Sequence, residues 1–195
     1  MIRRVGIGIL ILVAVAVAVW WFVPPDAPVP PDAPTALSPT APPSSVAAMP
    51  GIPADAFEMT IESVHDGDTL RARVSAPNAV VTDTASTRVR LIGLDTPEIS
   101  PEVECWGGEA TAGLTALTPP GSTVFAAADL EVRDQYGRHL LYLWTPDGRF
   151  VNAELIGQGA GVVMVFAPNT RHEDLFRTLE ADAAAAGNGL WGACR

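Results

Sequence analysis

Three short runs of this sequence hold carboxylates and arginines at spacings that allow acid–base and anion-binding chemistry. The first is Asp66-Gly67-Asp68-Thr69, lying between two apolar-alternating segments. Taken alone it reads as a turn, since glycine accepts positive φ and aspartate bonds to its own backbone. The second is Arg88-Val-Arg90-Leu-Ile-Gly-Leu-Asp95-Thr96-Pro97-Glu98. Period-2 alternation puts both arginines on one strand face, opposite Val89 and Leu91, with Asp95 and Glu98 in the loop that follows. An edge strand guarded by charges is the plain reading. Against it, two arginines, two carboxylates and a proline-stiffened loop converge at the end of one apolar strand. The third run is Asp134-Gln135-Tyr136-Gly137-Arg138, by itself a tight turn with a surface charge.

The elements that must position these runs follow from hydrophobic periodicity. Strands are expected over Phe57–Val64, Thr69–Val74, Thr87–Leu94, Val124–Arg133 and His139–Trp144, with Ser75–Ser86 a polar loop. Helices are expected over Gly108–Leu117, stopped by Pro119-Pro120, over Val151–Gln158, and over Arg171–Ala186, stopped by Gly187. Five strands with interspersed helices indicate an α+β architecture and a small barrel. The three runs then fall in loops at strand ends.

This domain, residues 57–195, is preceded by two other segments. Arg3 and Arg4 lead an uncharged apolar run from Val5 to Val23 that ends in Trp20, Trp21 and Phe22. Nineteen helical residues rise about 28 Å, close to a bilayer core, and arginines before the span favour a cytoplasmic N-terminus. Residues 1–23 are therefore expected to be a membrane anchor, with a cleaved signal peptide as the alternative. The rest of the chain then lies outside the cytoplasm, at the cell membrane or secreted. Residues 24–56 read as an extended linker, because 11 of the 18 prolines fall between Pro24 and Pro53. The chain of 195 residues is too short for a multi-domain enzyme, and its single apolar run rules out a multi-span membrane protein. With 22 acids against 12 bases, all of them arginine, it is not a polybasic nucleic-acid binder of the usual kind.

Together the three runs resemble the staphylococcal-nuclease-like (thermonuclease) family, in order and with compatible separations. Val64–Thr69, Arg90–Glu98 and Asp134–Arg138 match, as do Val151–Ile156 with Gly159, and Pro168-Asn169. The resemblance implies a five-stranded OB-fold barrel with three helices, and calcium-dependent cleavage of phosphodiester bonds in DNA and RNA. It implies Asp68 and Asp95 as carboxylate ligands of Ca²⁺, with the backbone carbonyl of Thr96 beside them and Asp66 in support. Calcium favours such hard oxygen donors. It further implies Glu98 as general base, Arg90 and Arg138 on the phosphate, and Tyr136 as donor to a neighbouring phosphate. Gln135 stands where the family carries a lysine. Met164 and Phe166 replace two base-packing tyrosines, and of these Phe166 retains the ability to stack. A non-catalytic OB-fold module binding oligonucleotides or another anionic ligand at the cell surface is the alternative reading, motivated by the acid excess and by Met164 and Phe166.

Cys105 and Cys194 are the only cysteines. In an exported chain they are expected to pair, with free buried thiols as the alternative. His65, His139 and His172 show no ligand spacing; His172 is expected to begin a surface helix and Trp191 to cover the core. The protein is expected to act as a monomer.

Overall fold

The computed structural model describes residues 49–194. The expected span at residues 1–23, and the linker up to residue 48, lie outside the described residues. Among the described residues no helix is long and apolar enough to cross a membrane.

Five strands close a barrel in the order β1-β2-β3-β6-β5: β1 (Phe57–Val64), β2 (Thr69–Arg73), β3 (Thr87–Leu91), β5 (Thr123–Ala127) and β6 (His139–Trp144). Neighbours are antiparallel except β3 and β6, where Val89, Arg90 and Leu91 pair in parallel with His139, Leu140 and Leu141. Alternation does what the sequence dictates. Met59, Ile61, Leu70, Val89, Leu91, Val124, Ala126, Leu141 and Leu143 point inward and are buried, while the charged residues between them face out. Helix α1 (Gly107–Leu117), α2 (Val151–Gly157) and α3 (Glu173–Ala186) complete the expected α+β barrel with three helices.

The third strand is shorter than its apolar pattern suggests, and the difference shapes the site. The expected Thr87–Leu94 breaks at Ile92, and its continuation β4 (Gly93–Asp95) leaves the barrel to pair with β7 (Val162–Met164), a strand too short to show periodicity. Gly93 makes the break possible. Its φ is 90°, and a Cβ there would sit 2.2 Å from the Phe176 ring of α3. The buried Asn152 of α2 seals the gap: its amide nitrogen donates to Ile92 O (2.9 Å) and its oxygen accepts from Leu143 N (2.9 Å).

Other expectations need correction. The expected strand Val124–Arg133 is a strand only over Thr123–Ala127, because residues 128–133 turn away toward Asn169. The last linker residues belong to the domain: Trp144 Nε1 donates to Pro50 O (2.9 Å), and Ala56 packs on the core. His172 does begin α3, as its N-cap, but its ring is half-buried rather than free on the surface. Its ring lies edge-on to Tyr142 and Phe150, at 4.7 and 5.0 Å between centroids. Trp191 does not cover the core; it sits exposed on a one-turn helix, α4 (Leu190–Ala193).

Candidate active site

The Asp66–Thr69 turn is built by its first residue. Asp66 Oδ1 accepts the backbone N–H groups of Asp68 (3.0 Å) and Thr69 (2.7 Å), a side-chain-closed turn that spends this carboxylate on structure. The turn delivers Asp68 into the interior, where Leu91 N donates to its carbonyl (2.9 Å). Asp68 Oδ2 accepts from Thr96 N (2.9 Å) and Thr96 Oγ1 (3.2 Å), and Oδ1 accepts from Thr69 Oγ1 (3.0 Å). One buried carboxylate thus ties the β1–β2 turn to the loop after β4. Burial pushes its carboxyl up to about 6, outweighing the pull of Arg90 and the Thr96 bond.

Arg90 stands between the carboxylates of Asp68 and Asp95. Its Nε lies 3.1 Å from Asp68 Oδ1 and its Nη2 2.7 Å from Asp95 Oδ1. Nη1 donates to the carbonyls of Leu91 (2.9 Å) and Leu94 (2.6 Å), which curls the β3–β4 junction around the guanidinium. Glu98 follows on an exposed loop. Partial burial of its carboxyl, reinforced by the charges of Asp66, Asp95 and Glu104, raises it above the ordinary range against the pull of Arg90. Glu104 closes this loop in both directions: its Oε2 accepts from Glu98 N (3.0 Å), and its own N donates to Glu98 O (2.9 Å).

The third run enters from the start of β6. Asp134 organises it, accepting the N–H groups of Tyr136 and Arg138 (2.9 Å each) on Oδ1 and Arg138 Nε on Oδ2 (2.6 Å). Burial works against the Asp134 charge, but the bonds from Arg138 prevail and hold its carboxyl below the usual range. The Arg138 guanidinium rests 5.6 Å from the centre of the Tyr136 ring.

Asp68, Arg90, Asp95, Glu98, Tyr136, Arg138 and Phe166 line one cleft of about 530 Å³, with Asp134, Met164 and Asn169 among its other walls. Thr96 is buried just behind it, at a smaller hollow shared with Asp95, Glu104, Cys105 and Cys194. The two cysteines stand at bonding distance, Sγ–Sγ 2.03 Å and Cα–Cα 5.8 Å. Tyr136 and Phe166 are 65% and 70% exposed, so both rings are open to a ligand.

The donor chemistry suits a hard divalent cation. Asp68, Asp95 and the Thr96 carbonyl offer oxygen alone, the donor type that calcium prefers. Among the described residues no three His, Cys, Asp or Glu side chains converge on one ion. The protein would thus supply few ligands, leaving positions for water and phosphate.

Three supporting groups had no role in the sequence reading. Asp134 opens the third run without a role of its own and Glu104 lies in an unremarkable turn, and only the tertiary structure shows what they hold. Gly161 is the third: a Cβ there would lie 2.3 Å from the Asp95 carbonyl, so β7 can run beneath the Asp95 loop only without a side chain. A glycine between apolar residues gives no sign of that.

A closed barrel with carboxylates and arginines gathered at one cleft defines a recognisable class. The family described as Staphylococcal nuclease homologue matches residues 88–193, more than half of the chain. The chain is 30% identical over 133 residues to a thermonuclease of Staphylococcus intermedius, covering 67% of this chain and 74% of that one. It is also 30% identical over 137 residues to endonuclease YncB of Bacillus subtilis (68% and 61% covered). Over 138 residues it is 30% identical to the SPbeta prophage-derived endonuclease YokF of the same organism (69% and 44%). The chain belongs to the staphylococcal nuclease family. It spans most of the first relative but less than two thirds of the two Bacillus proteins. The family match begins at Arg88, so the Asp66–Thr69 turn joins the site by geometry.

Proposed function

We propose that this chain is an extracytoplasmic, Ca²⁺-dependent nuclease that hydrolyses phosphodiester bonds of DNA and RNA. One observation carries the reading: Asp68, Arg90, Asp95, Glu98 and Arg138, drawn from three separate loops, line a single cleft. Held by the carboxylates of Asp68 and Asp95 and the carbonyl of Thr96, Ca²⁺ would supply positive charge at a phosphate oxygen. Glu98, with its raised carboxyl, accepts the proton of the water whose oxygen attacks phosphorus. The P–O ester bond breaks and the departing oxygen takes a proton from solvent. Arg138 has both Nη groups to offer once Nε is committed to Asp134. Arg90 keeps one Nη2 hydrogen beyond those bonded to Leu91, Leu94 and Asp95. Both guanidinium groups oppose the negative charge that grows in the five-coordinate transition state. Tyr136 donates to an adjacent phosphate and Phe166 stacks on a base. The arginine-led apolar run at residues 1–23 and the proline-rich linker support placement at the outer face of the cell membrane, or secretion after cleavage, with the protein acting as a monomer.

The test is hydrolysis of single- and double-stranded DNA and RNA with calcium and with chelator. Activity should require calcium and fall by about 10²–10⁴-fold in Glu98→Ala and in Arg138→Ala. Absence of turnover on every nucleic acid with calcium present rejects the reading. Oligonucleotide binding without turnover would instead favour the non-catalytic module that the acid excess suggests.

A further inference from the structure

Residues 57–195 carry 10 arginines against 19 acids, a poor balance for holding a polyanion. Where the carboxylates lie matters more than the sum. Of the nine arginines described in this domain, six are within 4 Å of a carboxylate: Arg73, Arg90, Arg138, Arg149, Arg171 and Arg177. The other three, Arg71, Arg88 and Arg133, make no ion pair among the described residues, and all three are exposed.

They are also neighbours. Arg71 and Arg88 stand directly opposite each other across the β2–β3 ladder, a like-charge pairing that costs stability. Arg88 immediately precedes Val89, and Arg138 immediately precedes His139, the residue paired with Val89. Arg71, Arg88 and Arg138 therefore sit at one level across three strands, each about 4.8 Å from the next in the hydrogen-bonding direction. Arg88 Nη2 donates to Tyr136 O (2.8 Å) and Arg133 Nη1 to Gly137 O (3.3 Å). These acceptors are neutral carbonyls, so the charges stay uncompensated. They gather around the loop that carries Arg138 into the cleft.

We propose that Arg88, Arg71 and Arg133 form a phosphate track leading out of the cleft, along which a polynucleotide lies beyond the bond being cut. The inference rests on the nuclease reading and extends it to the substrate: the protein prefers long chains over short ones. Guanidinium groups without carboxylate partners are those able to release counterions from a phosphate backbone, and a row of three extends the contact beyond the catalytic centre. Arg88 braces the Tyr136 loop at 2.8 Å and Arg133 touches it through the longer 3.3 Å bond to Gly137 O, so the test falls on Arg71 and Arg133. Arg71→Gln alone leaves both loop bonds in place and should lower the salt slope of binding by about 0.7.

The experiment measures binding of labelled single-stranded DNA and RNA of about 4 and about 16 nucleotides to full-length protein carrying Glu98→Gln. Calcium is present and sodium chloride is varied. Adding Arg71→Gln and Arg133→Gln should weaken binding of the long oligonucleotide and lower its log–log salt slope by about 1.4, or about 0.7 per lost contact. Binding of the short one should stay unchanged, and Arg71→Lys should restore most of the Arg71 contribution. In protein with Glu98 intact, the same pair should raise KM on long substrate with kcat unchanged. An unaltered slope, or equal losses on both lengths, overturns the track. Failure of the nuclease reading looks different: no hydrolysis when Glu98 is intact, whatever the oligonucleotides bind.

Discussion

A guanidinium on an exposed loop must be braced before it can meet a phosphate in one orientation, and Arg138 is braced by a single carboxylate. Asp134 fixes the loop backbone at Tyr136 and Arg138 with one oxygen and the Arg138 side chain with the other. Its removal leaves the charge of Arg138 in place and frees its direction. Asp134→Ala should therefore lower kcat/KM by about 10–100-fold, since misplacement of about 1 Å in a catalytic group costs on that order. In an Arg138→Ala background the same change should cost little more, because the two residues act as a unit. Steady-state kinetics on the four variants decides it; full additivity would show that Asp134 acts elsewhere.

Among the elements, the short β4–β7 ribbon matters most for the cleft. It takes Asp95 out of the barrel wall and presents it to Arg90, with Gly161 allowing the backbones to meet. Gly161→Val should push the Asp95 loop outward and raise the calcium needed for half-maximal hydrolysis by about tenfold or more, an effect of at least about 1.4 kcal/mol. A calcium titration of activity reads this directly, and an unchanged midpoint would mean that Asp95 does not serve the ion. These elements also mark where the sequence stops being legible. The barrel strands announce themselves through alternating Met59 and Ile61, or Val89 and Leu91, because each buries one face. The ribbon's strands are three residues each, and the apolar run through Ile92, Gly93 and Leu94 hides a break that depends on Phe176 far along the chain. The acids and arginines of the cleft were readable in their order and spacing. Their braces were not: Asp134, Glu104 and Gly161 act through distances that only folding creates.

For the molecule as a whole, the sulfurs of Cys105 and Cys194 stand at bonding distance, and a bond between them would tie the residue after the last helical turn to the one beside Glu104, and so to the loop that carries Glu98. Closing a loop of this length, a sequence separation of 89, would contribute up to about 4.6 kcal/mol by restricting the unfolded chain. Cys105→Ser with Cys194→Ser should lower the urea midpoint by a corresponding amount, with the untreated protein showing no free thiol under denaturant. Two titratable thiols in that assay would refute the bridge.

The three loops of the cleft share no neighbouring residues and meet only when the barrel closes. Threaded through a membrane as an unfolded polypeptide, the chain has its acids and arginines scattered and nothing with which to cut. On the proposed reading, hydrolysis therefore begins only once the barrel has closed outside the cytoplasm.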